Sequence, residues 1–154
     1  MKYFYKFSYK FCNLFIAENN GVICNVSFNK EAVQNGFEKS ETGLIKKVSV
    51  QLDEYFNGKR KTFDLPIVLN GTDFQMKIWK SLQKIPYGKT QSYGELAAAI
   101  GNPKACRAAG MANNKNPIAI IVPCHRVIGQ DGNLTGYAGG LEIKKQLLEL
   151  EQLI

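Results

Sequence analysis

The 154-residue sequence predicts a mixed α/β (α+β) chain in two parts, a small strand-rich α/β domain packed on a mostly helical domain with a helix-turn-helix. Three observations predict it. The N-terminal stretches rich in Phe and Tyr read as strands. From Thr42 the apolar spacing becomes helical. Further on, two short helical stretches meet at Gly101-Asn102-Pro103, the junction of a helix-turn-helix.

Residues 2–9 and 11–17 read as two strands, and Asn20-Gly21 suits a turn with positive φ. A third strand, 22–28, is expected to alternate around Val22, Cys24, Val26 and Phe28. Residues 29–41 are polar and irregular. Leu44, Ile45, Val48, Leu52, Tyr55 and Phe56 then fall at helical spacing, and Gly58 stops that helix. Phe63–Leu69 is an extended connector interrupted by Pro66, and Asn70-Gly71 marks the boundary between domains 1–70 and 71–154. The first domain carries no catalytic pattern and reads as a scaffold.

Thr72 and Gln75 form a capping box at the start of a helix with Phe74, Ile78, Trp79 and Leu82 on its apolar stripe, ended by Pro86. Ser92 and Glu95 form a second box, with Gly101 as the C-terminal cap. Asn102 is expected to cap a third helix with Pro103 at its first position. That helix, 104–112, sets Arg107 among small residues, and it fits either a buried helix or a recognition helix in a DNA groove. Asn113–Asn116 reads as a polar turn, and the apolar run Ile118–Val122 as a buried strand leading to Cys124. A glycine-rich loop, 134–140, precedes a last helix from Leu141 with Ile143, Leu147, Leu148 and Leu150 largely apolar.

Composition narrows the classes. At 45% apolar residues the chain can bury a core, and no apolar stretch has transmembrane length. No signal peptide is read in the N-terminus, so an intracellular, cytoplasmic protein with no membrane partner is expected. The net charge of +7 is spread over both domains, 10 Lys+Arg against 7 Asp+Glu in 1–70 and 10 against 6 in 71–154. A pI near 9.2 permits a polyanionic partner. Four cysteines without a C-x-x-C pair, and one histidine, argue against a metal site, and no cofactor is expected.

The candidate chemistry lies at Pro123-Cys124-His125, where the single histidine sits beside a thiol. A thiol attacks as thiolate, and a neighbouring base makes thiolate available. Successive residues of an extended chain point to opposite faces, so contact between Cys124 and His125 needs a turn or a bridging water. A carboxylate should orient the imidazole; Glu142, Glu149 and Glu151 all qualify by spacing. Taken alone, the pair fits a buried structural cysteine as well as a reactive one.

The segments GTDFQMKIW (71–79), IPYGKTQSYGELA (85–97), GNPKACRAAG (101–110), NPIAI (116–120), IVPCHRVIG (121–129) and GYAGGLEIKKQLLELE (136–151) resemble the O6-alkylguanine-DNA alkyltransferases in order and spacing. The match is close over 71–151; residues 1–70 match in size and strand–helix order only. The resemblance implies a ribonuclease-H-like first domain and a winged-helix-like second one. It implies single-turnover, irreversible transfer of an alkyl group, methyl above all, from O6 of guanine (O4 of thymine is a further candidate) in double-stranded DNA to Cys124. It further implies that Glu151 holds His125, that His125 acts on Cys124 through a water, and that Asn116 braces the active-site turn. Tyr93 would turn the 3′ phosphate and donate to the base, and Arg107 would fill the gap left by the flipped nucleotide. Val127, Tyr137 and Ala138, with Tyr93, would line the guanine pocket. Ala105, Ala108, Ala109 and Gly110, with Asn102 and Lys104, would lie along a minor groove roughly 6 Å wide, with little sequence preference, in a monomeric protein.

There are departures from the family pattern. Lys89 stands where many members carry a glutamate, which removes that residue as a buried partner for Arg126. Ala138 replaces the serine of some relatives, and the extra histidines of zinc-containing relatives are missing. Cys106, beside Arg107, is expected to be packed. Two other readings fit part of the sequence. A non-enzymatic binder of alkylated DNA, like the alkyltransferase-like proteins, would lack Cys124. An unrelated helix-turn-helix regulator would use Pro-Cys-His structurally.

Overall fold

A computed structural model describes residues 1–152, which fall into two compact units. One contains Met1–Leu69 and Pro117–Ile121; the other contains 70–116 and the chain from Val122 onward. These units differ from a single cut at residue 70 in one place, because 117–121 groups with the N-terminal strands. Val26 N–H donates to Pro117 O at 2.9 Å and Ala119 N–H to Val26 O at 2.9 Å. Those backbone bonds explain the grouping.

In the first unit β1 (Lys2–Ser8), β2 (Asn13–Asn19) and β3 (Val22–Ser27) form an antiparallel meander, and β4 (Glu38–Lys39) pairs parallel with β1. The sheet order is β3-β2-β1-β4. Asn20 (φ +52) and Gly21 (φ +84) both take left-handed conformations in the two-residue turn between β2 and β3, as Asn-Gly suits. The alternation expected for β3 does not hold. A register shift at Ala17/Glu18 leaves Cys24 unpaired in the ladder, and Ile23 and Val26 are the fully buried residues. Helix α1 (Gly43–Phe56) is capped by Thr42, whose Oγ1 accepts from Ile45 N–H and donates to the buried Glu18 carboxylate. Its face of Ile45, Val48, Leu52 and Tyr55 is fully buried. The connector joins the sheet edge through Ile23 N–H to Pro66 O and Val68 N–H to Ile23 O.

The second unit packs α2 (Asp73–Leu82), α3 (Tyr93–Ala99) and α4 (Cys106–Asn114) against one another; α3 also lies on a short parallel pair, β5 (Gln91–Ser92) and β6 (Val127–Ile128), and α5 (Leu141–Leu150) packs on the turn at 124–126. Both capping boxes form. Helix α2 stops at Leu82, before Pro86, and leaves through tight turns at Lys84 and Ile85. The start of α4 departs from expectation. Asn102 does not cap it; Asn102 N–H instead closes the end of α3 on Ala97 O, with Gly101 at φ +81. A turn from Asn102 O to Ala105 N–H follows, and α4 begins only at Cys106 without a side-chain cap. It runs on through Asn113 and Asn114, which are helical rather than a polar turn.

Candidate active site

The expected strand into Cys124 is replaced by a chain of tight turns. Ile121 N–H donates to Ala119 O at 2.8 Å across Ile120, whose φ is +70. A β-branched residue rarely adopts that conformation, so the backbone is strained on the approach to the thiol. Pro123 (φ −83, ψ 65) centres an inverse γ-turn closed by Cys124 N–H on Val122 O at 2.8 Å. Cys124–Arg126 then forms one 3₁₀ turn. Two asparagines at the end of α4 hold this backbone: Asn116 Nδ2 donates to Val122 O at 2.7 Å and Asn113 Nδ2 to Cys124 O at 3.3 Å. Trp79 Nε1 fastens the same helix end through Ala112 O at 2.9 Å.

Glu151, just past α5, is the carboxylate that reaches His125, with Oε2 2.7 Å from Nε2. Arg126 binds the same carboxylate through Nε at 2.8 Å and a terminal nitrogen at 3.2 Å. It also donates to Ile85 O at 2.7 Å and stacks over Tyr87. Arg126 thus has an acidic partner in Glu151, while Lys89 is exposed. Burial lowers the His125 pKa; Glu151 opposes this and Arg126 and Lys144 reinforce it. A neutral imidazole that gives Nε2–H to Glu151 keeps its basic lone pair on Nδ1. Burial raises the Cys124 thiol, and hydrogen bonding from Asn116 and Tyr137 and the charge of Lys144 work the other way.

Lys144 has no counterpart among the sequence-derived site residues. It is fully buried, and Nζ donates to Val127 O at 2.6 Å and Thr135 O at 2.9 Å. Burial pushes its ammonium down to about 8, and Cys124 draws it back up. Thr135 O also accepts from the Tyr93 hydroxyl at 3.0 Å. One cation therefore ties β6 to the glycine-rich loop beside Tyr93. The only sequence signal for it was a lysine at the buried spacing of α5, three residues before Leu147.

Beside Tyr93 lies a hollow of about 340 Å³ lined by Tyr93, Cys106, Arg107, Gly110, Met111, Asn114, Thr135 and Gly136. Asn102, Lys104, Arg107 and Ala108 are exposed, and Ala105 and Gly110 half-buried. Ala109 is fully buried, so it belongs to the core and not to a DNA-facing row. Cys106 is exposed and not packed, because it is the first residue of α4, at the uncapped helix end, and faces the hollow beside Tyr93. Val127 is buried with its carbonyl on Lys144; Tyr137 is half-buried and Ala138 exposed.

Two family models match. Residues 2–69 match the ribonuclease-like domain of 6-O-methylguanine DNA methyltransferase, and 73–153 its DNA-binding domain. The chain belongs to the 6-O-methylguanine DNA methyltransferase family. A methylated-DNA–protein-cysteine methyltransferase of Methanosarcina mazei is 62% identical over 109 residues, 71% of this chain and 69% of the relative. The constitutive one of Bacillus subtilis is 54% identical over 125 residues, 80% and 75% of the two chains. The crystal structure of Mycobacterium tuberculosis OGT in complex with DNA superposes with a TM-score of 0.92 at 45% identity, covering 97% of this chain and 92% of the other. The methyltransferase-family fold expected from the sequence, strand-rich then helical, is the fold found. Among the described residues no helix is long and apolar enough to cross a membrane, and no cluster of His, Cys, Asp and Glu is arranged to hold a metal.

Proposed function

We propose that this protein repairs alkylated DNA directly by moving the alkyl group, methyl above all, from O6 of guanine onto Cys124, once per molecule. The observation that carries the reading is the Cys124 turn backed by the buried His125–Glu151–Arg126 group, in a chain of the methyltransferase family. His125 Nδ1 takes the thiol proton through a water, as the resemblance implies, and Glu151 holds the ring. The thiolate then attacks the alkyl carbon; the S–C bond forms as the C–O6 bond breaks, and its electron pair stays on guanine. A hydrogen bond from Tyr93 to the base helps guanine leave. Lys144 supplies positive charge where the thiolate develops.

The partner is double-stranded DNA, entered from the minor groove with little sequence preference, and the protein acts as a cytoplasmic monomer. O6 is out of reach in a stacked duplex, so the nucleotide leaves the stack, at a cost of a few kcal/mol. The exposed Arg107 fills the gap, and the flipped base is taken up beside Tyr93, Val127, Tyr137 and Ala138, as the resemblance implies. Intact mass and peptide mapping after incubation with an O6-methylguanine oligonucleotide test the reaction. One methyl on the Cys124 peptide is expected, and an unmodified protein that still binds the lesion refutes transfer. Arg107→Ala should slow repair of duplex DNA more than reaction with free O6-benzylguanine; equal loss on both rejects its intercalating role.

A further inference from the structure

We infer that Asn113 is a positioning residue for alkyl transfer, its side-chain amide fixing the peptide plane that follows Cys124. The inference rests on Cys124 being the alkyl acceptor. Asn113 is 0% exposed, on the inward face of α4. A buried amide is costly unless its groups are hydrogen-bonded. Here only half is used: Nδ2 donates to Cys124 O at 3.3 Å, while Oδ1 has no partner among the described residues. A half-satisfied amide stabilises a core less than an apolar side chain of similar shape. Stability therefore does not account for an asparagine here; its contact does.

Cys124 O receives two donors, Asn113 Nδ2 from α4 and Val127 N–H from within the 3₁₀ turn. Together they pin the carbonyl from outside and inside the turn. Asn116 does the same for Val122 O on the other side of Pro123. The end of α4 thus grips the nucleophile's backbone at two points, and Trp79 fixes that end to α2. In-line displacement needs the sulfur held in line with the C–O6 bond, and small misplacements of reacting groups are expensive in rate. Without Asn113 the turn keeps Asn116 but can rotate about the Cys124–His125 peptide.

The test is single-turnover transfer by Asn113→Leu and Asn113→Asp in the full chain. Asn113→Leu removes the donor and should transfer about tenfold more slowly, by the same factor on duplex O6-methylguanine and on free O6-benzylguanine, with unchanged duplex affinity. A folded Leu variant at wild-type rate, or a loss confined to duplex DNA, overturns the inference. Asn113→Asp nearly conserves shape, and burial raises the new carboxyl's pKa, so its neutral form can donate to Cys124 O as the amide does. Its rate relative to wild type at each pH should climb as the pH falls. A ratio that stays flat, or a variant that stays unfolded throughout, overturns the inference even where Asn113→Leu does not fold. Peptide mapping of the wild-type protein in the same experiment checks the Cys124 assignment separately.

Discussion

Lys144→Met isolates the energetic cost of keeping a cation in this site. The ammonium falls from 10.5 to about 8 in the fold. That shift corresponds to about 3 kcal/mol against the charged form, and to about 2 kcal/mol once partial solvent screening is allowed for. The sign follows from proton counting. Between pH 8 and 10.5 the unfolded chain keeps this proton while the folded one releases it, so the unfolded state binds more protons. Stability contributed by this residue is therefore lowest below pH 8 and recovers as the pH rises to 10.5. Methionine abolishes that dependence. Its effect at neutral pH mixes relief of the burial cost with loss of the charged donor to Val127 O and Thr135 O. The pH dependence of the difference does not mix them. Urea unfolding of both proteins across this range should show wild type minus variant rising by about 2 to 3 kcal/mol. A difference that stays flat or falls refutes the reasoning. At neutral pH the variant should also transfer methyl more slowly, on the order of tenfold, for about 1.4 kcal/mol of lost charge stabilisation.

Three further outcomes are expected. Glu151→Gln leaves Arg126, 6% exposed, without its counter-charge; a loss of about 3 to 5 kcal/mol in denaturant unfolding is expected, with a slower transfer rate. Burial holds His125 below its ordinary 6.5, so below that pH the unfolded chain takes up a proton the folded one resists. Stability and transfer rate should both fall from about pH 7 to about pH 5, and replacing His125 by glutamine should flatten the stability profile. Gly71→Ala would put a Cβ 2.6 Å from both the Trp79 ring and Gln75 Oε1. A loss of about 1 to 3 kcal/mol is expected, with a change in Trp79 fluorescence.

The features legible in the chain without its packing are local. The capping boxes at Thr72/Gln75 and Ser92/Glu95, the Asn20-Gly21 turn, the limits of α1 and the start of α5 all depend on contacts within a few residues, so their signals sit side by side in the chain; α5, expected to run to the chain end, stops at Leu150, and the last two residues lie outside the described ones. The family was legible too, because its motifs are contiguous runs around Cys124. Where local signals competed, long-range packing set the outcome. Asn102 is a good cap by type, yet its N–H is taken by Ala97 and the helix starts later. Ile120 would not choose φ +70 alone; it sits inside the turn closed by Ile121 N–H on Ala119 O, next to the Ala119 N–H bond to Val26 O. The chemistry of the site is of this second kind. Glu151 meets His125 and Arg126 across 26 and 25 residues, and Lys144 meets the Val127 carbonyl across 17. Burial lowers the proton affinity of His125 and Lys144, and burial is a property of the packed chain, not of any stretch of it.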